Sequence, residues 1–519
     1  MTIYRSPLPA IRLRGISITD RVFEGLGDDP DRVILIDGTS GAETTVAMFK
    51  DRIRRLAGGL AARGIGPGDV VAILAPNSPD FAVAFHAIAY AGATVTTLNP
   101  SYTAHEVQHQ LADSGARLLF LHGPLIEVAK AALPGTRVAE IVTFAPAEGY
   151  ASLEDVMGDP LAAQVPVDLT GAAVALPYSS GTTGLPKGVR LSHRNLVSNV
   201  DQVQGALAIR PGDMTAAFLP FFHIYGMNTL MNAFLARGAG LVCMPRFELE
   251  AFLGHIARHR SRLVLIAPPV AVALAKHPLV DQYDLSSLEV LMSGAAPLGG
   301  DVAAAVGARL GCVVMQGYGM TEMSPVSHIV PENDPRDGRV GLTVANTECR
   351  LVDPATGTDA APGGEGELWI RGPQVMLGYL NAPEATANTL TPDGWLKTGD
   401  LAAFDPDGQM SIRDRLKELI KVSGFQVAPA EVEADLLAHP DIADAAVIGV
   451  PDDQAGERPI AFLVPRAGHT LDVAALGPFL AEQLASYKRP REIRVVEAIP
   501  KSASGKILRR VLKAQYLAG

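Results

Sequence analysis

The residues best suited to chemistry lie in one short stretch, residues 178–189, with the sequence YSSGTTGLPKGV. Positions 179–188 hold three glycines, four hydroxyl side chains and Lys187. An apolar run at 172–176 precedes them, which predicts a strand that feeds a loop of exposed N–H groups and hydroxyls. Such a loop suits an anion such as a nucleotide phosphate. The P-loop pattern requires Ser or Thr where Gly188 stands, so we interpret the stretch as a phosphate loop of another kind; the plainer alternative is a polar surface turn.

Six further segments are too polar, glycine-rich or aromatic for their apolar surroundings. They are 220–226 (PFFHIYG), 293–297 (SGAAP), 316–322 (QGYGMTE), 366–372 (GELWIRG), 395–400 (WLKTGD) and 500–506 (PKSASGK). Singly each is weak evidence, but their order and spacing, together with the phosphate loop, resemble the adenylate-forming superfamily of acyl-CoA synthetases, adenylation domains and beetle luciferases. The resemblance extends from Asp69 to Arg510. Segments 424–431 (GFQVAPAE) and 223–225 (HIY) are most similar to 4-coumarate:CoA ligases and their bacterial relatives.

The resemblance implies a two-step reaction. A carboxylate attacks the α-phosphate of ATP to give acyl-AMP and pyrophosphate, and a thiol, usually that of CoA, then displaces AMP. Because the first step gathers negative charge, the site needs positive charge and oriented donors more than an acid–base pair. ATP, Mg²⁺ and CoA are therefore the expected cofactors and co-substrates.

The resemblance also assigns roles to individual residues. Lys506 would bridge the substrate carboxylate and the α-phosphate, Thr321 would donate to that phosphate, and His223 would complete the catalytic set. Glu322 would hold Mg²⁺, because a carboxylate beside phosphates is repulsive without a metal. The remaining nucleotide-binding assignments are Ser179, Ser180, Gly181, Thr182, Thr183, Gly184 and Lys187 for the phosphates, Gln316, Gly317, Tyr318 and Gly319 for adenine, Asp400 for the ribose hydroxyls, Arg415 for ribose or phosphate, and Lys417, Lys421 and Gln426.

These assignments have plainer alternatives. Glu322 could be an acid in the first turn of a helix, Asp400 an ordinary turn aspartate after Gly399, and residues 317–319 a glycine turn beside a core tyrosine. Lys506 is different, because a structural lysine more often lies on a helix surface, whereas residues 502–505 (SASG) predict a flexible arm.

We expect the acid to bind between the segments at 223–225, 292–295 and 317–319. The expected lining residues are Ile224, Tyr225, Thr229, Met292, Ala295, Gly317, Val326 and Ser327. The small residues leave a slot for a flat ring, and the lining holds no charged residue. Arg246, Ser423 and Gly424 are the expected CoA contacts. Plant 4-coumarate ligases have serine at the position of Thr229, a bulkier apolar residue at that of Ser327 and lysine at that of Ser423, which leaves the acid and the acceptor open.

The elements that must position these residues are strands alternating with amphipathic helices. Residues 69–74, 117–121 and 263–267 predict buried strands, and Ser78 predicts the start of a helix, so the chain is expected to be α/β with layered sheets. Past residue 410 the predicted elements are helices at 431–437 and 473–484, strands at 445–450, 459–464 and 492–496, and a helix from about 507. Composition alone favours a plain exposed linker for the charged hexamer 413–418, whereas the resemblance makes Lys417 a hinge residue. We predict a large domain at 1–413, a short exposed hinge at 414–417 and a small mobile α/β domain at 418–519.

Composition limits the classes of binding partner, the redox environment and the cellular location that we expect. The net charge of −11 disfavours nucleic acid, and 48% hydrophobic with 19% charged residues predicts a large core. Three scattered cysteines predict buried free thiols and a reducing compartment, and no Cys/His pattern predicts a metal cluster. The first 20 residues lack the apolar core of a signal peptide. The apolar run 263–275, broken by two prolines, predicts a buried strand and turn rather than a membrane span. We expect a cytoplasmic monomer or homodimer.

The sequence thus predicts an ATP-dependent carboxylic acid:CoA ligase acting on an aromatic or arylpropenoic acid. The alternatives within the superfamily are a medium-chain fatty acyl-CoA ligase and an enzyme with another acid or acceptor, luciferase-like or a nitrite-activating diazotase. A nucleotide-sensing module without catalysis would not need Lys506, Glu322 and Asp400 together.

Overall fold

The structure, a computed structural model, describes residues 2–179, 186–336, 338–361, 363–416, 418–422, 425–452, 455–484, 486–502 and 505–518. Helices and sheets alternate along it, which confirms the predicted α/β class. The strands, in chain order, are β1 (Tyr4–Arg5), β2 (Val33–Asp37), β3 (Glu43–Thr45), β4 (Val70–Leu74), β5 (Thr94–Leu98), β6 (Leu118–Leu121), β7 (Glu140–Thr143), β8 (Ala151–Ser152), β9 (Ala173–Ala175), β10 (Tyr178–Ser179), β11 (Lys187–Ser192), β12 (Met214–Ala217), β13 (Gly240–Cys243), β14 (Leu263–Ile266), β15 (Val290–Ser293), β16 (Val313–Gly319), β17 (Val326–Ile329), β18 (Leu342–Thr343), β19 (Glu348–Val352), β20 (Gly366–Arg371), β21 (Gly378–Tyr379), β22 (Leu396–Phe404), β23 (Met410–Arg415), β24 (Ile420–Val422), β25 (Phe425–Val427), β26 (Ile442–Asp452), β27 (Gly456–Pro465) and β28 (Glu492–Val495).

The α-helices are α1 (Ile18–Leu26), α2 (Val46–Ala62), α3 (Pro79–Tyr90), α4 (Ala104–Ser114), α5 (Ile126–Ala132), α6 (His193–Ala206), α7 (Ala233–Leu235), α8 (Leu249–His259), α9 (Pro268–Lys276), α10 (Gly300–Leu310), α11 (Pro383–Thr389), α12 (Pro429–Leu437), α13 (Val473–Gln483) and α14 (Arg509–Leu517). Short 3₁₀ turns occupy Gly123–Leu125, Pro278–Gln282 and Thr321–Met323, and Tyr225–Asn232 is a π-helix.

Four sheets form the part of the chain before residue 416. Their strand orders are β10-β11-β9-β5-β4-β6-β7-β8 with β21 beside β11, β12-β13-β2-β3, β14-β15-β16-β17-β18, and β1-β19-β20-β22-β23. Strand β4 pairs in parallel with β5 and β6, which explains why its sequence is a continuous apolar run. Ser78 accepts a hydrogen bond from the N–H of Phe81 (3.1 Å), so the predicted cap of α3 is confirmed.

A fifth sheet, β25-β24-β27-β26 with β28 beside β27, forms with α12, α13 and α14 the part after residue 418. The elements predicted there are confirmed to within a few residues. Among the described residues, buried apolar side chains between 18 and 410 belong to clusters separate from those between 420 and 512. The sequence prediction of two domains fits these separate cores, and its exact boundaries stay a prediction.

Two sequence interpretations are wrong in detail. Residues 263–275 form strand β14 and then helix α9, not a strand and a turn, because a proline pair is tolerated at the first positions of a helix. The charged hexamer 413–418 is not an exposed linker: Arg415 lies at the end of β23 and Asp414 is only 5% exposed. Asp414 and Glu418 have partners in the part after residue 418, as described below, whereas Arg413 is exposed and pairs with Glu365 (2.9 Å).

The cysteines are free, as predicted; Cys243 and Cys349 are buried and Cys312 is half-buried. Burial raises the pKa of all three thiols. No helix in the described parts of the chain has the length and apolarity to cross a membrane.

Candidate active site

The C-terminal arm carries Lys506 to the large part of the molecule. A bridge between Lys501 and Ile507 closes the base of this arm, and the N–H of Ser502 donates to the carbonyl of Lys506 (2.8 Å). Gly505 has a φ of 82°, and a Cβ there would lie 3.3 Å from the ring of Pro269 in α9. The arm therefore touches the large part directly, and the positive φ explains the glycine.

Lys506 lies within an electrostatic cluster of residues that the sequence analysis had assigned separately. Burial, and then the positive charge of Arg415, lower the pKa of Lys506 to about 8, while Glu418 and Asp400 act in the opposite direction. Lys506 in turn contributes to the pKa shifts of His223 and Asp400. Lys506 therefore lies within electrostatic range of three other predicted site residues, Arg415, Asp400 and His223.

Asp400 is positioned by the pairing of β22 with β23, in which it is the register partner of Arg415. The Nε of Arg415 lies 3.4 Å from Asp400 Oδ1, and the hydroxyl of Tyr318 donates to Oδ2 (2.5 Å). Asp400 is 4% exposed, and burial raises its pKa against the influence of Arg415. Each carboxylate oxygen can accept more than one hydrogen bond, so the pair leaves acceptor capacity for ribose hydroxyls.

The strand end beside Tyr318 is shaped by its glycines. A Cβ on Gly319 would lie 2.3 Å from the carbonyl oxygen of Pro325, and one on Gly317 would lie 2.6 Å from the methyl of Met292. No side chain fits at position 319 without a shift of the backbone. Gln316 accepts a hydrogen bond from the N–H of Leu298 (3.0 Å), which fixes its side chain to the neighbouring loop.

Glu322 lies in the first turn of a short 3₁₀ helix that begins at half-buried Thr321, so the plainer alternative describes its position in the chain correctly. It is 3% exposed, and its Oε1 accepts a hydrogen bond from the hydroxyl of Tyr379 (2.8 Å). Within the described residues, no group of three or more His, Cys, Asp or Glu side chains could hold a metal ion by itself. A buried carboxylate with acceptor capacity to spare fits a divalent cation whose other ligands come from a nucleotide.

The phosphate loop is described at its two ends only. Ser179 of β10 and Lys187 of β11 are register partners, and Lys187 Nζ lies 5.8 Å from the ring centroid of Tyr379. The predicted contacts Ser180, Gly181, Thr182, Thr183 and Gly184 lie outside the described residues.

Helix α4 holds both flanks of this loop, which the sequence analysis missed. The hydroxyl of Tyr178 donates to Asp113 Oδ2 (2.6 Å), and Asn381 Nδ2 donates to the carbonyl of Asp113 (2.9 Å). The Nε2 of His109 lies 3.3 Å from the carbonyl oxygen of Pro186. His109 and Asp113 are four residues apart and so share one face of the helix. Such a spacing could have been noticed in the sequence, but nothing there identifies the partners.

His223 is a neutral imidazole at neutral pH. Burial, with a smaller contribution from Lys506, lowers its pKa to about 4. Its Nδ1 accepts a hydrogen bond from the N–H of Tyr225 (3.3 Å), which places the remaining proton on Nε2.

Except for exposed Ala295 and half-buried Gly317, the expected acid-binding residues form a buried wall. Tyr225 donates its hydroxyl to the carbonyl of Met292 (3.2 Å), and Met292 in turn contacts the position of Gly317. A Cβ on Gly294 would lie 2.9 Å from the Tyr225 ring. The exposures of the others are 1% for Ile224, 0% for Thr229, 4% for Val326 and 0% for Ser327.

Three details of this wall bear on its chemistry. The Thr229 hydroxyl is buried and has no hydrogen-bond partner among the described residues. The Ser327 hydroxyl lies 2.9 Å from Nδ1 of His328, so it already has a protein partner. Ala295 is exposed and has a φ of 72°, an uncommon backbone state for a residue other than glycine.

The expected CoA contacts are Arg246, Ser423 and Gly424, and the remaining expected nucleotide contacts are Lys417, Lys421 and Gln426. Arg246 is largely exposed and pairs with Glu248 (2.5 Å). Ser423, Gly424 and Lys417 lie outside the described residues. Lys421 and Gln426 are backbone partners in the β24–β25 hairpin, and the N–H of Lys421 donates to Glu457 (2.9 Å).

The charges of the hexamer connect the two parts of the molecule. Asp414 Oδ2 accepts a hydrogen bond from the N–H of Ala430 at the start of α12 (3.1 Å), a helix whose own N-cap residue, Ala428, offers no side-chain cap. Burial raises the pKa of Asp414 to about 6. Arg509, three residues after Lys506, pairs with Glu418 (2.5 Å) and with buried Glu433 (2.6 Å). The base of the Lys506 arm is thereby tied to the residue that follows Lys417.

Comparisons with known proteins identify the family. The chain belongs to the AMP-binding enzyme family: the model of the AMP-binding enzymes matches residues 23–380, and that of the AMP-binding enzyme C-terminal domain matches residues 431–506. Similar curated proteins include 4-coumarate–CoA ligase 5 of Oryza sativa subsp. japonica, 43% identical over 100% of this chain and 98% of the rice protein, and 4-coumarate–CoA ligase 2 of Nicotiana tabacum, 42% identical over 100% and 98%.

Two solved structures are similar to this chain over most of its length. ATP-bound MatB from Rhodopseudomonas palustris is 30% identical with a TM-score of 0.89, covering 96% of this chain and 98% of its own. The anthranilate CoA ligase AuaEII in complex with anthranoyl-AMP is 27% identical with a TM-score of 0.89, covering 97% and 98%.

Proposed function

We propose that the protein is an ATP-dependent acid:CoA ligase that activates an arylpropenoic acid, of the 4-coumarate or cinnamate kind, as an acyl-adenylate and transfers it to CoA. The observation that carries this proposal is that the Lys506 arm lies against Pro269 of the large part, within electrostatic range of His223 and of the Asp400–Arg415 pair (3.4 Å). Full-length similarity to plant 4-coumarate–CoA ligases at about 42% identity supports the acid class and the acceptor.

In this proposal the cluster neutralises charge in the adenylation step. Lys506, positively charged at neutral pH, bridges the acid carboxylate and the α-phosphate, and Arg415 adds a second positive charge. Tyr318 and Asp400 form a hydrogen-bonded pair for the adenosine, with the carboxylate accepting from the ribose. Glu322 would hold Mg²⁺, which, when bound with ATP, offsets the charge of the phosphates. Neutral His223 can act only as a hydrogen-bonding group, not as a cation, in this step.

The acid pocket supports an aromatic substrate with a polar substituent. Tyr225 is held by its bond to Met292, so its ring presents a fixed apolar face to a flat acid. The Thr229 hydroxyl, one helical turn further, is buried without a partner among the described residues. A buried hydroxyl left unpaired costs about 1–3 kcal/mol, and a hydroxyl on the substrate ring would satisfy it.

We further propose that residues 414–417 are the hinge between a domain at 1–413 and a mobile domain at 418–519. The separate apolar cores on the two sides of this segment support the division. The Lys506 arm lies against the large part, as the adenylation step requires, so thioester formation would follow a rotation about Lys417. Replacing Lys417 should slow the step with CoA more than adenylation, when the two half-reactions are measured separately. If the substitution changed neither rate, or slowed both equally, the hinge proposal would be wrong.

The experiment that tests the activity is a pyrophosphate-release screen over cinnamates, benzoates, C6–C12 fatty acids and nitrite, each with and without CoA. We expect 4-coumarate or cinnamate to give the highest kcat/KM and a CoA thioester as product. Lys506→Ala should abolish pyrophosphate release while ATP binding, measured by calorimetry, remains. Preferential turnover of fatty acids, or CoA-independent turnover to another product, would replace the proposed substrate or acceptor.

A further inference from the structure

Tyr379 lies between two of the predicted phosphate-side residues and has no role in the function proposed above. Its backbone is fixed on two sides. Strand β21 pairs with β11, where Tyr379 is the register partner of Val189, and the N–H of Tyr379 donates to Thr386 Oγ1 in α11 (2.9 Å). The side chain therefore projects from a part of the backbone that has little freedom to move.

The hydroxyl of Tyr379 holds the carboxylate of Glu322, donating to Oε1 at 2.8 Å. The same segment also holds the backbone of Glu322, because the N–H of Met376 donates to the Glu322 carbonyl (2.9 Å). A phenol ordinarily ionises near pH 10, so the Tyr379 hydroxyl is a donor at neutral pH. The carboxylate and the backbone carbonyl of Glu322 are thus both hydrogen-bonded to the segment 376–379.

The ring of Tyr379 holds a second charged group. Lys187 Nζ lies 5.8 Å from its centroid, within the range of a cation–π contact. Lys187 begins β11 at the exit of the phosphate loop. One side chain thereby contacts both an ammonium group and a carboxylate that lie on two separate segments of the chain.

We propose that Tyr379 is a positioning residue for a complex of a divalent cation with the nucleotide triphosphate. Its hydroxyl occupies one oxygen of Glu322 and leaves the other for the cation, while its ring orients Lys187 toward the phosphates. This inference rests on the proposed function, because it needs ATP and a divalent cation as ligands. Glu322 fits that cation: it is buried, and within the described residues its side chain accepts one hydrogen bond, that from Tyr379. Hydrogen-bond partners of metal ligands typically change metal affinity by about 10–100-fold when they are removed.

The test is the metal dependence of ATP binding, measured by calorimetry without acid or CoA, once with saturating Mn²⁺ and once with EDTA. The ratio of the two ATP affinities is the metal contribution. We expect Tyr379→Phe, which deletes one oxygen and keeps the ring, to lower this ratio by about 10-fold and to leave the affinity in EDTA unchanged. In a Glu322→Gln background the same substitution should change the ratio no further.

Tyr150→Phe is the matched control, because Tyr150 also lies beneath a lysine, Lys130 at 6.0 Å, yet it directly precedes β8, at the opposite edge of the sheet that contains β11. Thermal melting checks that each variant is folded. A wild-type ratio in Tyr379→Phe, or an equal loss with Mn²⁺ and with EDTA, would overturn the positioning role. If the wild-type protein binds no ATP, the proposed function fails first.

Discussion

Raising the pH from 7 to 9 should slow adenylation, because Lys506 loses its positive charge over this interval. Burial and the positive charge of Arg415 lower the pKa of Lys506 from 10.5 to about 8. A lysine with a lowered pKa keeps its charge below that value and loses it above. The charged fraction should therefore fall from about 90% at pH 7 to about 10% at pH 9, whereas an ordinary lysine would stay about 97% charged. Since the cation is the form that bridges the two anions, kcat/KM should fall about 10-fold over this interval.

The assay is acid-dependent exchange of pyrophosphate into ATP, followed from pH 6.5 to 9.5. Cinnamate is the suitable acid, because it has no phenol that would titrate in the same range. CoA is left out, because a thiol ordinarily titrates near pH 8.5 and would superimpose a second transition. Under these conditions kcat/KM reports ionisations of the free enzyme and free substrates.

Lys506→Arg is the control, since a guanidinium keeps its charge throughout this range. Its profile should be flat between pH 7 and 9, at whatever rate the longer side chain allows. A flat profile in the wild type, or the same fall in the arginine variant, would show that the charge of Lys506 is not what titrates.

Three other perturbations follow from the contacts. Asp113→Ala removes the acceptor of the Tyr178 hydroxyl at the start of the phosphate loop, a hydrogen bond worth about 1.5–3 kcal/mol. In steady-state kinetics the KM for ATP should rise by about 10-fold or more, with the KM for the acid unchanged. Equal changes in the two KM values would contradict a local effect. Gly294→Ala places a methyl 2.9 Å from the held ring of Tyr225, so turnover of cinnamate should fall about 10-fold or more while calorimetric ATP affinity stays the same. Arg509→Met leaves two partly or fully buried glutamates without their partner and should cost about 3–5 kcal/mol, seen as a lower urea midpoint for the small part; an unchanged midpoint would refute this.

Local patterns predicted the elements well, because the forces that set them act between neighbours in sequence. The apolar run of β4 is buried on both faces by parallel pairing, and Ser78 caps α3 through a bond to a residue three positions away. Where a local pattern allowed two outcomes, the sequence interpretation was less reliable. Pro268 can end a helix or begin one, so the local sequence is compatible with a turn as well as with the helix that the structure shows.

Contacts between distant residues explain what the sequence could not supply. The charged hexamer suggested a solvated linker, yet Asp414 caps a helix 16 residues later, and Glu418 meets Arg509 91 residues later. Tyr379 reaches Glu322 over 57 residues, and Tyr178 reaches Asp113 over 65. A motif identifies a reactive group, but the residues that hold it in place become visible only when the chain is folded.

The low reactivity of the three cysteine thiols makes a thiol reagent suitable for assaying this protein. Burial raises the pKa of Cys312 to about 11 and that of Cys349 to about 12, and that of Cys243 further still. At pH 8 the thiolate fraction of even the most acidic of them is about one in a thousand, and thiolate is the form that reacts. A colorimetric thiol reagent added to the native enzyme should therefore count free CoA and almost nothing else. In denaturant the same reagent should count three protein thiols per chain in addition to CoA, so the difference between the readings with and without denaturant counts the thiols that folding protects.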